Sequence, residues 1–229
     1  MPSSRVAHRI SLFFGLVILA LTVFSVSQPA PAACGGLPRA YAPIIAFELA
    51  RSVGDLHAIF GAAPGPCRSA IAHRVDATNT VDSWIFIPVY GLFLLFFFLG
   101  RRRKNAPIAN AAILLVFLAC GTDYVENDAL FHLSANPDSA AWIPPLVWAT
   151  ETKWNSLGIA GFSAVPLLWR TWLAWPALFL CGAGLIATLA TIAASAVVGP
   201  YLSNAIALGW LVILVADFRE AARRASSHT

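Results

Sequence analysis

Apolar residues in this chain come in long blocks separated by short polar breaks: Ile10–Val26, Trp84–Gly100, Pro107–Leu133, Pro144–Leu168, Trp172–Val198 and Tyr201–Ala216. Each block approaches or exceeds the roughly 20 residues that a helix needs to cross hydrocarbon. The pattern predicts an all-α fold, a polytopic transmembrane helical bundle of six spans. The count falls to five if the first block is a cleaved signal peptide. Residues 1–27 then form the first helix or signal anchor, 28–81 an extracytoplasmic loop, 82–217 a five-helix bundle and 218–229 a cytoplasmic tail.

The loop has internal order. Ile45, Leu49, Val53, Leu56 and Phe60 fall on one stripe at 100° per residue, with Glu48, Arg51 and Asp55 on another side. One amphipathic helix is expected there, its charges solvated and paired at i,i+3 and i,i+4. Pro and Gly around residues 29–38 end the first helix, and Gly199-Pro200 turns the last two spans into an antiparallel hairpin. Ala183, Ala187, Thr191 and Ser195 make a stripe of small residues in the fifth span, suited to close packing.

Composition narrows the class. Hydrophobic residues make up 59% of the chain and charged residues 11%, and the mean hydropathy is +0.73, all far from the values of an ordinary soluble domain. The formal net charge of +4 comes from cations that flank the blocks. That arrangement fits anionic lipid and excludes a nucleic-acid groove, which would interleave basic and aromatic residues. Placing Arg101-Arg102-Arg103-Lys104 in the cytoplasm also places Arg5, Arg9, Arg170, Arg219, Arg223 and Arg224 there. Both ends of the chain then lie inside. Abundant Ala and a preference for Arg over Lys suggest a bacterial inner membrane.

The first block has two readings. Arg5 and Arg9, an apolar core and Ala30-Pro31-Ala32 follow the order of a secretory signal. The run to Val26 is long for such a core, which favours a retained helix. In both readings Cys34 and Cys67 lie outside, where an oxidising compartment joins them as a disulfide. Cys120 and Cys181 fall within apolar blocks and read as small buried hydrophobes.

Ionisable residues inside spans cost roughly 2.5–3.5 kcal/mol each at the bilayer centre, so they need a partner or a purpose. Asp123, Glu126 and Asn127 project from one face of the third span, and Asp128 and His132 from the opposite face near its outer end. The fourth span carries Glu151 and Asn155 on one face and Lys153 on another. The second adds Asp82 at its outer mouth and Tyr90 two turns in, with Pro88 between them to loosen a backbone carbonyl. At ~1.5 Å per residue these groups reach the outer half of the bilayer. Asp82, Tyr90, Asp123, Glu126, Asn127, Glu151, Lys153 and Asn155 are the candidate binding residues.

Asp123, Glu126 and Glu151 against Lys153 leave two excess negative charges, which protons, a cation, a basic substrate or trapped water would complete. The leading reading is a site that binds or translocates a proton, cation or small amine. A membrane enzyme acting on a lipid-like substrate at the outer leaflet, or a non-catalytic assembly subunit, is the alternative. No cofactor motif, hydrolase elbow, His-Glu-x-x-His helix or phosphate loop is present. Asp128 and His132 lack a third ligand, so no metal is expected.

Overall fold

A computed structural model describes residues 4–27, 33–36, 43–169 and 171–226. The described elements are helical: α1 (Ser4–Ser27), α2 (Pro43–Glu48), α3 (Val53–Phe60), α4 (Pro66–Val81), a π-helical turn (Asp82–Phe86), α5 (Ile87–Arg101), α6 (Ala106–Ala135), α7 (Ile143–Phe162), α8 (Ala164–Leu168) and α9 (Ala174–Ser226). Among the described residues, four stretches are long and apolar enough to cross a membrane: Ser4–Ser25, Pro66–Arg101, Ala106–Ala135 and Tyr201–Arg223. The other two predicted spans are also helical. One, α7, is diluted by Glu151 and Lys153, and the other, Ala174–Ala190, is shorter.

The backbone of α9 is helical along its length but reverses direction. Cys181 packs on Gly209, and Gly184 on Ala205 and Ile206, so the chain beyond Tyr201 runs antiparallel to Ala174–Ala190. The expected antiparallel pairing is therefore present, but the backbone is helical through Gly199 and Pro200, where a break was expected. The face it uses differs from the predicted stripe, because Ala183 is exposed while Cys181, Gly184 and Thr188 are buried. Thr188 meets Gly158 of α7 so closely that a Cβ there would lie 2.7 Å from its Oγ1. The side chains of Thr191 and Ser195 lie outside the described residues.

Two hydrophobic cores are stacked along the bundle. The larger joins α1, α5, α6, α7 and α9 through Phe93, Leu94, Phe97, Phe98 and a small-residue seam of α6, Ala109, Ala112, Val116 and Ala119. The smaller packs Phe47, Leu56, Ile59, Phe60, Ile71 and Val75 of α2–α4 on Leu130, Leu133, Ile143 and Leu146. The segment expected to be a peripheral surface helix thus forms a headpiece with its own core. Asp138 ties that headpiece to the α6–α7 loop, taking Arg68 Nη1 at 2.8 Å and His57 Nε2 at 2.7 Å. The Arg68 and His57 hydrogen bonds hold the Asp138 carboxyl below its ordinary value.

The single amphipathic helix predicted from Ile45 to Phe60 is broken at residues 49–52. Ser52 is the N-cap of α3 and accepts from the Asp55 N–H at 3.2 Å. Asp55 Oδ2 in turn accepts from the Ser52 hydroxyl at 2.8 Å and the Arg51 N–H at 3.0 Å. That reciprocal cap spends Asp55 on the backbone, so it does not pair with Arg51 across a helix face.

Exposed tryptophans mark both ends of the bundle. Trp84 and Trp148 stand at the headpiece end, and Trp169, Trp172 and Trp175 at the other. Bands of this kind suit the two interfaces of a bilayer. His8, Arg101 and Asp217 meet at the end away from the headpiece, and Lys104 Nζ reaches the Leu167 carbonyl at 3.3 Å. The cationic ends of α1, α5 and α9 therefore share one side.

Cys34 and Cys67 lie at disulfide distance, with a Cα separation of 5.9 Å, and bracket α2 and α3. Chain-entropy arguments give a loop of this length about 3–4 kcal/mol. Reduction should lower the melting temperature and raise hydrogen exchange in α2 and α3 more than in α5 and α6. Equal exchange throughout, measured by mass spectrometry with and without reductant, would show that the headpiece does not depend on this link.

Candidate functional site

Between the two cores lies a cluster of charged groups with almost no access to solvent. Lys153 is 4% exposed, Asp123 4% and Glu126 0%. A chain that folds this way must surround the ammonium with oxygen, and it does so from two elements, α2 and α6. Lys153 Nζ of α7 bonds Glu126 of α6 and lies 3.2 Å from both Asp123 Oδ1 of α6 and Glu48 Oε2 of α2. It also stands 4.8 Å from the centre of the Trp154 ring, a distance suited to cation–π attraction.

Two of the three carboxylates, Asp123 and Glu126, are held a second time. Tyr90 of α5 donates its hydroxyl to Asp123 Oδ2 at 2.8 Å. The Thr150 hydroxyl reaches Glu126 Oε1 and the Glu48 carbonyl oxygen at 3.0 Å, its single proton serving one acceptor at a time. Asn127 donates to Asp82 Oδ2 at 2.7 Å, and its Nδ2 lies 3.0 Å from Ser83 Oγ. Asp82 and Ser83 reach inward from the π-helical turn. That turn has a local cause: Pro88 has no N–H to offer the Trp84 carbonyl, and the Ile87 N–H bonds Asp82 O five residues back.

The predicted residues divide into two sets. Asp82, Tyr90, Asp123, Glu126, Asn127 and Lys153 come together in or beside the cluster. Glu151 and Asn155 do not. Glu151 points outward, 30% exposed, and pairs with Arg51 at 2.8 Å. Asn155 donates to the Glu151 carbonyl of its own helix at 2.8 Å. Lys153 needs its own face of α7, and residues two positions away on a helix cannot share it. Of the outer pair, Asp128 is exposed and His132 stacks on Trp142 with centroids 3.9 Å apart.

Glu48 and Thr150 complete the cluster without having been predicted. The signal for Glu48 lay in the run Pro43–Ala50, where it is the one charged side chain among apolar neighbours. Thr150 sits one turn before Lys153. Burial pushes the Glu48 carboxyl above its ordinary range, the nearby Lys153 ammonium pulls it back and Asp123 adds to the rise.

The charge count is more uneven than the spans alone suggested. Glu48, Asp82, Asp123 and Glu126 surround one lysine, a net of three negatives with every group ionised. Among the described residues, no group of three or more His, Cys, Asp or Glu side chains is arranged to hold a metal ion. Comparison of the chain with family models, curated proteins and solved structures returns no match.

Two outcomes follow from this geometry. Lys153→Met removes the shared cation and should destabilise the protein by about 3–5 kcal/mol. Adding Glu126→Gln should recover part of that loss, because the orphaned charge is gone. A melting temperature unchanged by Lys153→Met would mean that the ammonium reaches water. For Glu48 the sign is fixed by its raised folded value: its contribution is complete below the unfolded value and fades as pH rises through the folded one. The melting temperature of Glu48→Gln relative to wild type should therefore climb with pH, and a pH-independent difference would place Glu48 in solvent.

Proposed function

We propose that this chain is a six-span protein of the bacterial inner membrane whose carboxylate cluster binds a proton, a small cation or a small amine and passes it across the bilayer. Its carboxyl terminus faces the cytoplasm, the headpiece faces out, and Lys153 is the internal cation that holds the site when no guest is present. The observation that carries this reading is one buried lysine shared by three carboxylates, with Asp82 beside them. Buried charges left so far from balance call for an exchangeable positive charge.

The outer route runs past α2. Three contacts close it: Glu48 to Lys153, the Glu48 carbonyl to Thr150, and Arg51 to Glu151. The last is half-exposed and screened, so it is the weakest. A guest that neutralises Glu48 removes one anchor of α2 from Lys153, and the same event frees the ammonium to turn toward Asp123 and Glu126. Binding and opening are thereby linked through one side chain.

Reconstituted vesicles test the reading. A gradient of protons, sodium, potassium or methylammonium is imposed in turn, and uptake is followed by a dye in the lumen. At least one gradient should dissipate faster than in protein-free vesicles, and Glu126→Gln should slow it at least tenfold. The double variant Lys153→Met/Glu126→Gln should regain stability without regaining flux. Wild-type vesicles no leakier than empty ones to all four guests would overturn transport.

A further inference from the structure

On the inner side of the carboxylate cluster, α7 and the two antiparallel limbs of α9 enclose a small void. Leu157 and Gly158 line it, four and five residues beyond Lys153 along α7, a descent of roughly 6–8 Å toward the inner end. Cys181, Gly184, Gly209 and Trp210 of α9 form its other walls. The void measures about 10 Å³, at the threshold of ~10–15 Å³ where one water fits.

The glycines around it are of two kinds. A Cβ on Gly158 would lie 2.7 Å from Thr188 Oγ1, and one on Gly184 or Gly209 would lie 3.3 Å from Ile206 Cδ1 or Cys181 Sγ. These three let the helices approach closely. Gly161 also lines the void and is buried, yet a Cβ there would meet nothing within 4 Å. In an interior packed to ordinary density, a buried position with no neighbour in its Cβ direction faces empty space.

One wall carries an unmet polar group. The indole N–H of Trp210 is buried and has no protein partner. A donor left dry in this way is costly, and voids that stay empty are those with wholly apolar linings. The Cys181 thiol lies 3.8 Å from the Gly209 carbonyl, whose second lone pair and the thiol sulfur give a water more than one polar neighbour. The Trp210 ring lies 5.4 Å from that of Tyr90, and the Tyr90 hydroxyl holds Asp123. Whatever the indole binds is thus one aromatic contact away from the outer cluster.

We infer that this void holds one water, bound to the Trp210 indole N–H, and that the water is a polar station on the inner side of the carboxylate cluster. Its use as a station rests on the proposed translocation; its presence does not. The full chain in lipid nanodiscs, with ¹⁵N-labelled tryptophan indoles, tests the site by NMR. Trp210→Phe assigns the Trp210 signal, and Trp210→Tyr does so where the first variant fails to fold. Magnetisation should pass from water to that buried N–H in the wild type and fall at least fivefold in Gly161→Ala, whose methyl takes the place of the water. Gly121→Ala, at an exposed position of α6 where a Cβ also meets nothing within 4 Å, should leave the transfer unchanged.

No transfer in the wild type overturns the water site, and so does transfer undiminished in Gly161→Ala. The same variants test the station in vesicles. Whichever guest the wild type carries should cross at least fivefold more slowly with Gly161→Ala, at an unreduced melting temperature, and at the wild-type rate with Gly121→Ala. Flux that survives the loss of the water contact overturns the station. Wild-type vesicles that carry no guest overturn the translocation and the station with it, while the indole measurement still decides the water site.

Discussion

An ammonium ion withdrawn from water must be wrapped in oxygen, and the helix arrangement follows from where Lys153 lies. Two of its partners, Asp123 and Glu126, are one turn apart on α6, which fixes the facing surfaces of α6 and α7. Tyr90 brings α5 to Asp123, and Glu48 brings the headpiece down onto α7. Removing one partner from such a group costs more than the group contributes when complete. The cluster is accordingly a constraint on packing as well as a place for chemistry.

The bundle was legible in the sequence because its signal is length. Runs such as Pro107–Leu133 need no tertiary information to be read as helices. The cation–carboxylate core was legible for a related reason, since Asp123, Glu126 and Lys153 are ionisable residues within long apolar blocks. Glu48 was obscured by a wheel drawn through residues 45–60 as one helix. The reciprocal cap of Ser52 and Asp55 breaks that wheel, and a Ser-x-x-Asp spacing was there to be read. Glu151 misled in the opposite way: its place in a span suggested burial, while helical geometry aimed it at Arg51 on the surface.

The inner network escaped attention because its members sit at the edges of blocks. His8 and Asp217 lie just outside the apolar runs Ile10–Val26 and Tyr201–Ala216, and Arg101 reads as one of four cations at a membrane boundary. Only the packing of α1 between α5 and α9 draws them into contact. The two ends of the bundle then differ in what they lack. Carboxylates outnumber the cation at the headpiece end, whereas one carboxylate serves two nitrogen bases at the other.

On the proposed function, the outer cluster holds more negative charge than Lys153 balances, so that a proton or a guest cation is bound there at neutral pH. Infrared titration of the purified protein in nanodiscs measures this directly. A protonated-carboxyl band should be present at neutral pH, disappear when a bound cation or alkaline buffer replaces the proton, and lose intensity in Glu48→Gln. Finding every carboxyl of the cluster ionised, with no cation bound beside Lys153, would contradict it.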